Sequence, residues 1–404
     1  MHLFSLLILY ALANWFKSRA NKVVSSAEII AGNVDLLSEI LLRVPAKSLI
    51  KFKSVSRQWL ALLSDSSFCH NHTRHNPSPP ISGLYFSPHG TRWLNIHGKI
   101  IHVPFRDDHQ LTTLPNFSFL DGSEARNLRV CHSSNGLMLC TNRAQTYVVC
   151  NLTTQKFVVL PKITVVPKSK LDYEIRCGYL IYDPRKSLHY KVVVFRSLYG
   201  DNFQFDVYSS ESSSWTSTVA IPRVPIWWSI IDGAVWNGAI FWISKHYDAY
   251  FLFDIDAKKF TRTPLPSLGS SNAYEEILYF GECGGRLFLI PGPCNGATEF
   301  RMLEMMHKET EFRWTVKYIV DSPVIMPPLR TGRSRYLAGC VMNVGANEND
   351  LVVVLFQHWK VVQYNIVSKS LKVLFEFPSL GDYPSFPSNV YMHSYQFIQS
   401  LAPI

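Results

Sequence analysis

Charged residues are scarce. Asp, Glu, Lys and Arg make up 17% of the 404 residues, against 47% hydrophobic ones. That balance excludes a chain that stays unfolded for want of apolar area. Acids are the scarcer sign, 30 against 40 basic residues, for a net charge of +10. So diffuse an excess permits acidic partners without demanding nucleic acid. Paired cysteine spacings are missing: Cys69, Cys131, Cys140, Cys150, Cys177, Cys283, Cys294 and Cys340 form no C-x-x-C, the spacing of zinc ribbons and redox motifs. A chain this long and apolar needs no bridges to make up for a small core. The thiols therefore read as free and buried, behaving as small hydrophobes.

Catalytic signatures are absent too. There is no G-x-S-x-G elbow, Walker loop, H-E-x-x-H or dinucleotide fingerprint. Gly281-Glu282-Cys283-Gly284-Gly285 is glycine-rich, but no helix follows it to cradle a phosphate. Asp254 and Asp256 read as residues of a turn into Lys258-Lys259 rather than as an acid pair. His70, His72 and His75 are not spaced to share a helix face, and no acid or cysteine pair completes a metal set. Trp227-Trp228 beside Pro225 has the look of a stacking site, but such clusters belong to a core more often than to a ligand. No catalytic residue, cofactor or metal is expected.

The apolar opening from Leu3 to Leu12 is too short to span a bilayer comfortably. Ala11-Leu12-Ala13 imitates a signal cleavage site, yet Lys17, Arg19 and Lys22 follow the apolar run instead of preceding it. Residues 1–32 are read as an N-terminal extension of an intracellular protein. The tripeptides at Asn71, Asn116 and Asn151 match the glycosylation pattern and decide nothing alone.

What is present begins at Asn33. Leu36, Leu37, Ile40, Leu41 and Val44 recur on one face of a helix. Asn33 or Asp35 can cap its start, and Pro45 ends it. A second short helix covers Ala46 to Lys51. A third, roughly Val55 to Leu63, sets Val55, Trp59, Leu62 and Leu63 on one side. The segment Cys69 to His75 reads as the polar end of that helix and a connector, before the stiff Pro77, Pro79, Pro80 stretch. Three short helices bury little by themselves and should lean on a partner. Arg43, Lys47, Lys51, Lys53 and Arg57 stand among them with no intervening acid, which suits an acidic surface.

Val44-Pro45, Lys47-Ser48-Leu49 and Phe52-Lys53-Ser54-Val55-Ser56-Arg57-Gln58-Trp59 resemble, in order, the pattern of an F-box. Asn33-Val34 stands where that family commonly has Leu-Pro. The resemblance implies docking onto a Skp-type adaptor and, through it, a cullin. It assigns the contact to Leu36, Leu37, Ile40, Leu41, Val44, Pro45, Leu49, Phe52, Val55, Trp59 and Leu62, shared between the module's own core and the adaptor.

From Ile81 onward, apolar runs of strand length alternate with turn residues and long helical periodicity is absent. A loose repeat recurs: a small-residue turn, a strand, a second strand ending in Asn or Asp, and a third strand. Asn135-Gly136-Leu137, Tyr147 to Asn151 and Lys156 to Pro161 form one unit. Trp236-Asn237-Gly238, Phe251 to Ile255 and Phe260 to Pro266 form another, and Asp350 to Phe375 a late one. A period of roughly 45 to 60 residues suits four-stranded propeller blades. Asn135-Gly136-Leu137, Cys150 to Thr154, Gly178 to Pro184 and Trp236-Asn237-Gly238 resemble the F-box-associated domain, which is kelch-like. Only Gly284-Gly285 shows the double glycine of true kelch repeats.

The expected architecture is an α+β multidomain chain. A small all-α F-box of three helices at 33–75 precedes an all-β, kelch-like propeller of about six blades at 81–400. The implied role is a non-catalytic substrate-recognition subunit of a plant Skp–cullin–F-box ubiquitin ligase, in cytoplasm or nucleus, with no membrane or nucleic-acid partner. The alternative is a secreted propeller, a lectin or glycosidase-like enzyme. The target protein is not encoded in any legible motif.

Overall fold

The computed structural model describes residues 30, 32–77, 79–89, 101–105, 117–120, 128–142, 145–163, 177–197, 203–220, 233–244, 249–265, 277–291, 299–308, 311–321, 337–343, 351–357, 360–376 and 391–404. The leader-like residues 1–13, Asn116 and the Trp227-Trp228 pair lie outside these.

Four helices open the described chain. In α1 (Val34–Leu41) the side chain of Asn33 accepts hydrogen bonds from the amides of Asp35 and Leu36 at 3.0 and 3.1 Å. Asn33 is thus the cap, and Asp35 adds a negative charge in the first turn, where the helix dipole favours it. Pro45 turns the chain into α2 (Ala46–Phe52). Ser56 caps α3 (Arg57–Ser64) by accepting from the Trp59 amide.

The segment read as a connector is in fact a fourth helix, α4 (Ser66–His75), capped by Asp65, which accepts from the Phe68 amide at 2.9 Å. Its His and Asn residues are weak helix formers, so local preference did not betray it. Packing decides instead: Phe68, Cys69, His72 and Thr73 are buried, and His72 Nε2 lies 2.8 Å from the Val44 carbonyl oxygen.

The strands form six antiparallel sheets among the described residues. β1 (Ile81–His89) and β2 (Ile101–Pro104) come first in the chain. Blade 1 is β3 (Arg129–Ser134), β4 (Leu137–Thr141), β5 (Tyr147–Asn151) and β6 (Lys156–Val159). Blade 2 is β7 (Cys177–Ile181), β8 (Lys191–Ser197), β9 (Phe203–Ser209) and β10 (Ser214–Ala220). Blade 3 is β11 (Ala234–Trp236), β12 (Ala239–Ser244), β13 (Ala249–Asp254) and β14 (Lys259–Pro264). Blade 4 is β15 (Ile277–Cys283), β16 (Arg286–Pro291), β17 (Glu299–Lys308) and β18 (Glu311–Asp321). Blade 5 is β19 (Leu337–Asn343), β20 (Leu351–Gln357), β21 (Lys360–Asn365) and β22 (Leu371–Glu376).

Blade 6 joins distant parts of the chain. β23 (Tyr391–Ile398) pairs with β1, and β1 with β2, so backbone bonds between the two ends of the domain close the ring. Alternation along β1 completes the closure. Leu84 faces blade 5, packing with Met342, Val352 and Val354. Tyr85 faces blade 1, packing with Met138, Cys140 and Val148. Similar apolar clusters fill the gaps between the other successive blades.

Two turn types repeat. Asn135-Gly136 and Asn237-Gly238 both adopt positive φ at their two residues, the tight reversal that matches strand twist. Across the outer hairpins Asn151, Asp254 and Asn365 each accept bonds from the amides two and three residues on. A positive-φ residue follows in each, at Gln155, Lys258 and Lys369. Asp254 is therefore a turn former, as its sequence setting suggests.

Candidate partner-binding interface

The helical module has its own core: Leu37, Leu41, Leu42, Val44, Ala46, Leu49, Trp59, Leu63, Phe68 and Cys69 are buried together. This core divides the eleven residues that the resemblance assigns to the adaptor contact. Leu37, Leu41, Val44, Leu49 and Trp59 are buried within the module. Ile40, Phe52, Val55 and Leu62 are half-buried at its edge, and Leu36 and Pro45 are exposed. Trp59 packs edge-on against Phe52 with ring centroids 5.7 Å apart, so its indole fills the core instead of waiting for a partner.

Two apolar residues not singled out from sequence are exposed here. Val34 and Leu60 are each 48% exposed, the same as Leu36. The legible signal was an apolar residue off the core face of an amphipathic helix. Leu36 and Ile40, four apart, share one side of α1 beside the buried Leu37–Leu41 stripe. The basic residues Arg43, Lys47, Lys51 and Arg57 are exposed. Burial lowers the Lys53 ammonium pKa; the nearby Cys69 acts against that and Lys156 of blade 1 with it.

The module is not isolated from the propeller. Leu401, in the segment after β23, is 1% exposed and belongs to the module's core. Its neighbour Ala402 packs instead with Leu137, Val149 and Tyr182 of the propeller. The Asn151 side-chain amide donates to the carbonyl oxygens of Ser400 at 3.1 Å and Ala402 at 2.8 Å. Asn151 is fully buried with all its hydrogen-bonding capacity used, so this tripeptide cannot carry a glycan in the folded chain.

The other sites weighed from sequence resolve differently. His70, His72 and His75 do not converge; His72 bonds to Val44 and His75 to Asn71 within the helical module. Among the described residues no group of three or more His, Cys, Asp or Glu is placed to hold a metal ion. Among the described residues, Cys69, Cys140 and Cys150 are buried free thiols. Among the described residues no helix is long and apolar enough to cross a membrane.

Comparison with known proteins agrees with this division. Residues 33–71 match the F-box domain model, and residues 106–404 match that of the F-box associated beta propeller domain. F-box protein At5g07610 of Arabidopsis thaliana is 28% identical over 94% of both chains. F-box/kelch-repeat protein At3g17530 of the same plant is 28% identical over 57% of this chain and 60% of its own. F-box protein At5g49610, also from Arabidopsis thaliana, is 25% identical over 75% of this chain and 85% of its own. With four short helices followed by a closed six-bladed ring, and both family models matched in that order, the chain belongs to the plant F-box proteins that carry an F-box-associated β-propeller domain.

Proposed function

We propose that the chain is the substrate receptor of a Skp–cullin–F-box ubiquitin ligase, acting in cytoplasm or nucleus. The helical module docks on a Skp-type adaptor that bridges to a cullin, and the propeller holds a target protein. One observation carries this reading: Val34, Leu36 and Leu60 remain about half exposed on a module whose own core is already filled. Apolar anchors of this kind, rimmed by polar groups, supply most of the energy of a protein interface. Lys47, Lys51 and Arg57 supply the rim and favour an acidic partner surface, while Arg43 is held by Glu39.

The receptor makes no covalent bond itself. It raises the effective concentration of target lysines beside a ubiquitin-loaded enzyme. A secreted propeller is disfavoured by free thiols and by the buried Asn151.

Capture of a purified plant Skp-type adaptor by the intact chain is the test. Leu36→Asp with Leu60→Asp should abolish capture while leaving the far-ultraviolet dichroism and melting curve close to those of the parent. Undiminished capture by this variant would overturn the mapping. A parent chain that captures no adaptor, and that carries glycan at Asn71 when expressed in plant cells, would replace it with the secreted reading.

A further inference from the structure

Two modules joined by a short linker move relative to one another unless something prevents it. Here the linker after α4 is one attachment: Asn76 donates to the Leu42 and His72 carbonyl oxygens at 2.9 Å each, and prolines follow at 77, 79 and 80. Residues 399–404 form a second. After β23 closes the ring, consecutive side chains point into different bodies. Leu401 enters the helical core and Ala402 the gap between blades 1 and 2.

Between those two anchors the backbone is clamped. Asn151 Nδ2 donates to the carbonyls on both sides of Leu401, and Thr153 Oγ1 accepts from the Ser400 amide at 3.2 Å. Asn151 leads one of three equivalent hairpin turns. At the corresponding position of blade 3 stands Asp254, which has no side-chain N–H to give. Asparagine at 151 therefore does two tasks, its oxygen building the turn and its nitrogen gripping the segment. Gly136 fits the same contact from the other side, because a Cβ there would lie 2.3 Å from Ser400 Cβ.

We propose that residues 400–404 are a coupling segment that locks the F-box helices onto blades 1 and 2, with Leu401 and Asn151 as positioning residues that set where a bound target stands relative to the adaptor. Two attachments remove the hinge that a single linker would leave. The lock itself stands on these contacts; its consequence for ubiquitin transfer rests on the adaptor reading above.

The test compares the full chain with a deletion of residues 400–404, with Leu401→Ser and with Asn151→Asp, which retains the turn acceptor and loses both donors. The parent should unfold in one calorimetric transition. Each variant should split it, the helical transition shifting down further than the propeller one or being lost. Small-angle scattering of Asn151→Asp, whose helical core is intact, should show a longer maximum dimension, with adaptor capture retained. One unsplit transition and an unchanged scattering curve in all three variants would overturn the lock. If the parent captures no adaptor yet the transitions split, the adaptor reading fails and the lock stands.

Discussion

The side-chain nitrogen of Asn151 lies 2.8 Å from the carbonyl oxygen of Ala402, a residue 251 positions away in sequence. Through that contact the turn of one propeller blade grips the segment whose Leu401 completes the helical core. Several expected outcomes trace back to this junction and to the closing blade.

Replacing Asn151 by Asp sets a carboxylate against two carbonyl oxygens in a fully buried position. The cost at pH 7 should be about 3 kcal/mol, the usual penalty for an unpaired buried charge. Denaturant midpoints should show it. Relative to the parent at each pH, the deficit should shrink towards pH 5, as the buried acid takes up a proton.

Gly136 and Gly238 occupy like turns, with φ of +88° and +79°. A Cβ on Gly238 meets nothing within 4 Å, so Gly238→Ala should cost only the conformational strain, about 1 kcal/mol. Gly136→Ala adds a collision with Ser400 and should cost at least about 2 kcal/mol more. Deleting residues 400–404 removes the Ser400 collision but leaves the Ile398 carbonyl oxygen 3.1 Å away, so it should narrow the gap between the two substitutions in thermal unfolding without closing it.

The adaptor-contact residues separate into two classes by stability. Leu49 is fully buried, and Leu49→Ala should cost about 2–5 kcal/mol, enough to melt the helical module. Trp59→Ala behaves likewise and so is a poor probe of docking. Leu60→Ala should change stability by less than about 1 kcal/mol and weaken adaptor binding about tenfold. Titration calorimetry with the adaptor and circular dichroism of the free chain separate the classes.

His102 in β2 is packed against Tyr85 at 4.7 Å and Phe397 at 5.6 Å, and neither ring nitrogen has a hydrogen-bond partner. Burial pushes its pKa down to about 4. The imidazole is thus neutral in the folded closing blade, while the unfolded chain takes a proton near its ordinary value of 6.5. Above that pH the group contributes no pH dependence. As pH falls from about 6.5 to 4 the unfolded state is favoured, by up to about 3 kcal/mol, with no further loss below. His102→Phe should flatten this part of the melting-temperature profile. The remaining slope should owe much to His132, also held at about 4 by burial against a weaker pull from its hydrogen bond to the Leu180 backbone.

Blade 2 holds a buried ion pair. Arg196 and Asp206 lie 2.5 Å apart in blade 2, and Gln204 and Ser217 donate to the same carboxylate. Asp206→Ala should cost about 3–5 kcal/mol, because it strands a buried guanidinium. A drop in the propeller's melting temperature, with adaptor capture unchanged, is the expected result.

Much of this was legible in residue order. The α1 stripe, the Pro45 break and the Ser56 cap are local patterns with local causes. The Asn-Gly reversals and the Asn- or Asp-led turns also declare themselves, because only a few residue types accept those backbone angles. Helix α4 was not legible, since its polar residues carry little helical preference and its burial comes from Val44 and its neighbours. Nor was the division of the eleven adaptor-contact residues, because amphipathic spacing marks an apolar face without saying what covers it.

Periodicity and turn chemistry, both short-range properties, determined that a helical module precedes a ring of antiparallel blades, five of them four-stranded and the closing one three-stranded among the described residues. Which side chains remain open to a partner, and which are covered by this chain itself, was decided only when the ring closed. Closure brings residue 151 to residue 402 and sets Leu401 among the helices. Contacts between positions so far apart leave no periodic trace, so no local reading could place them.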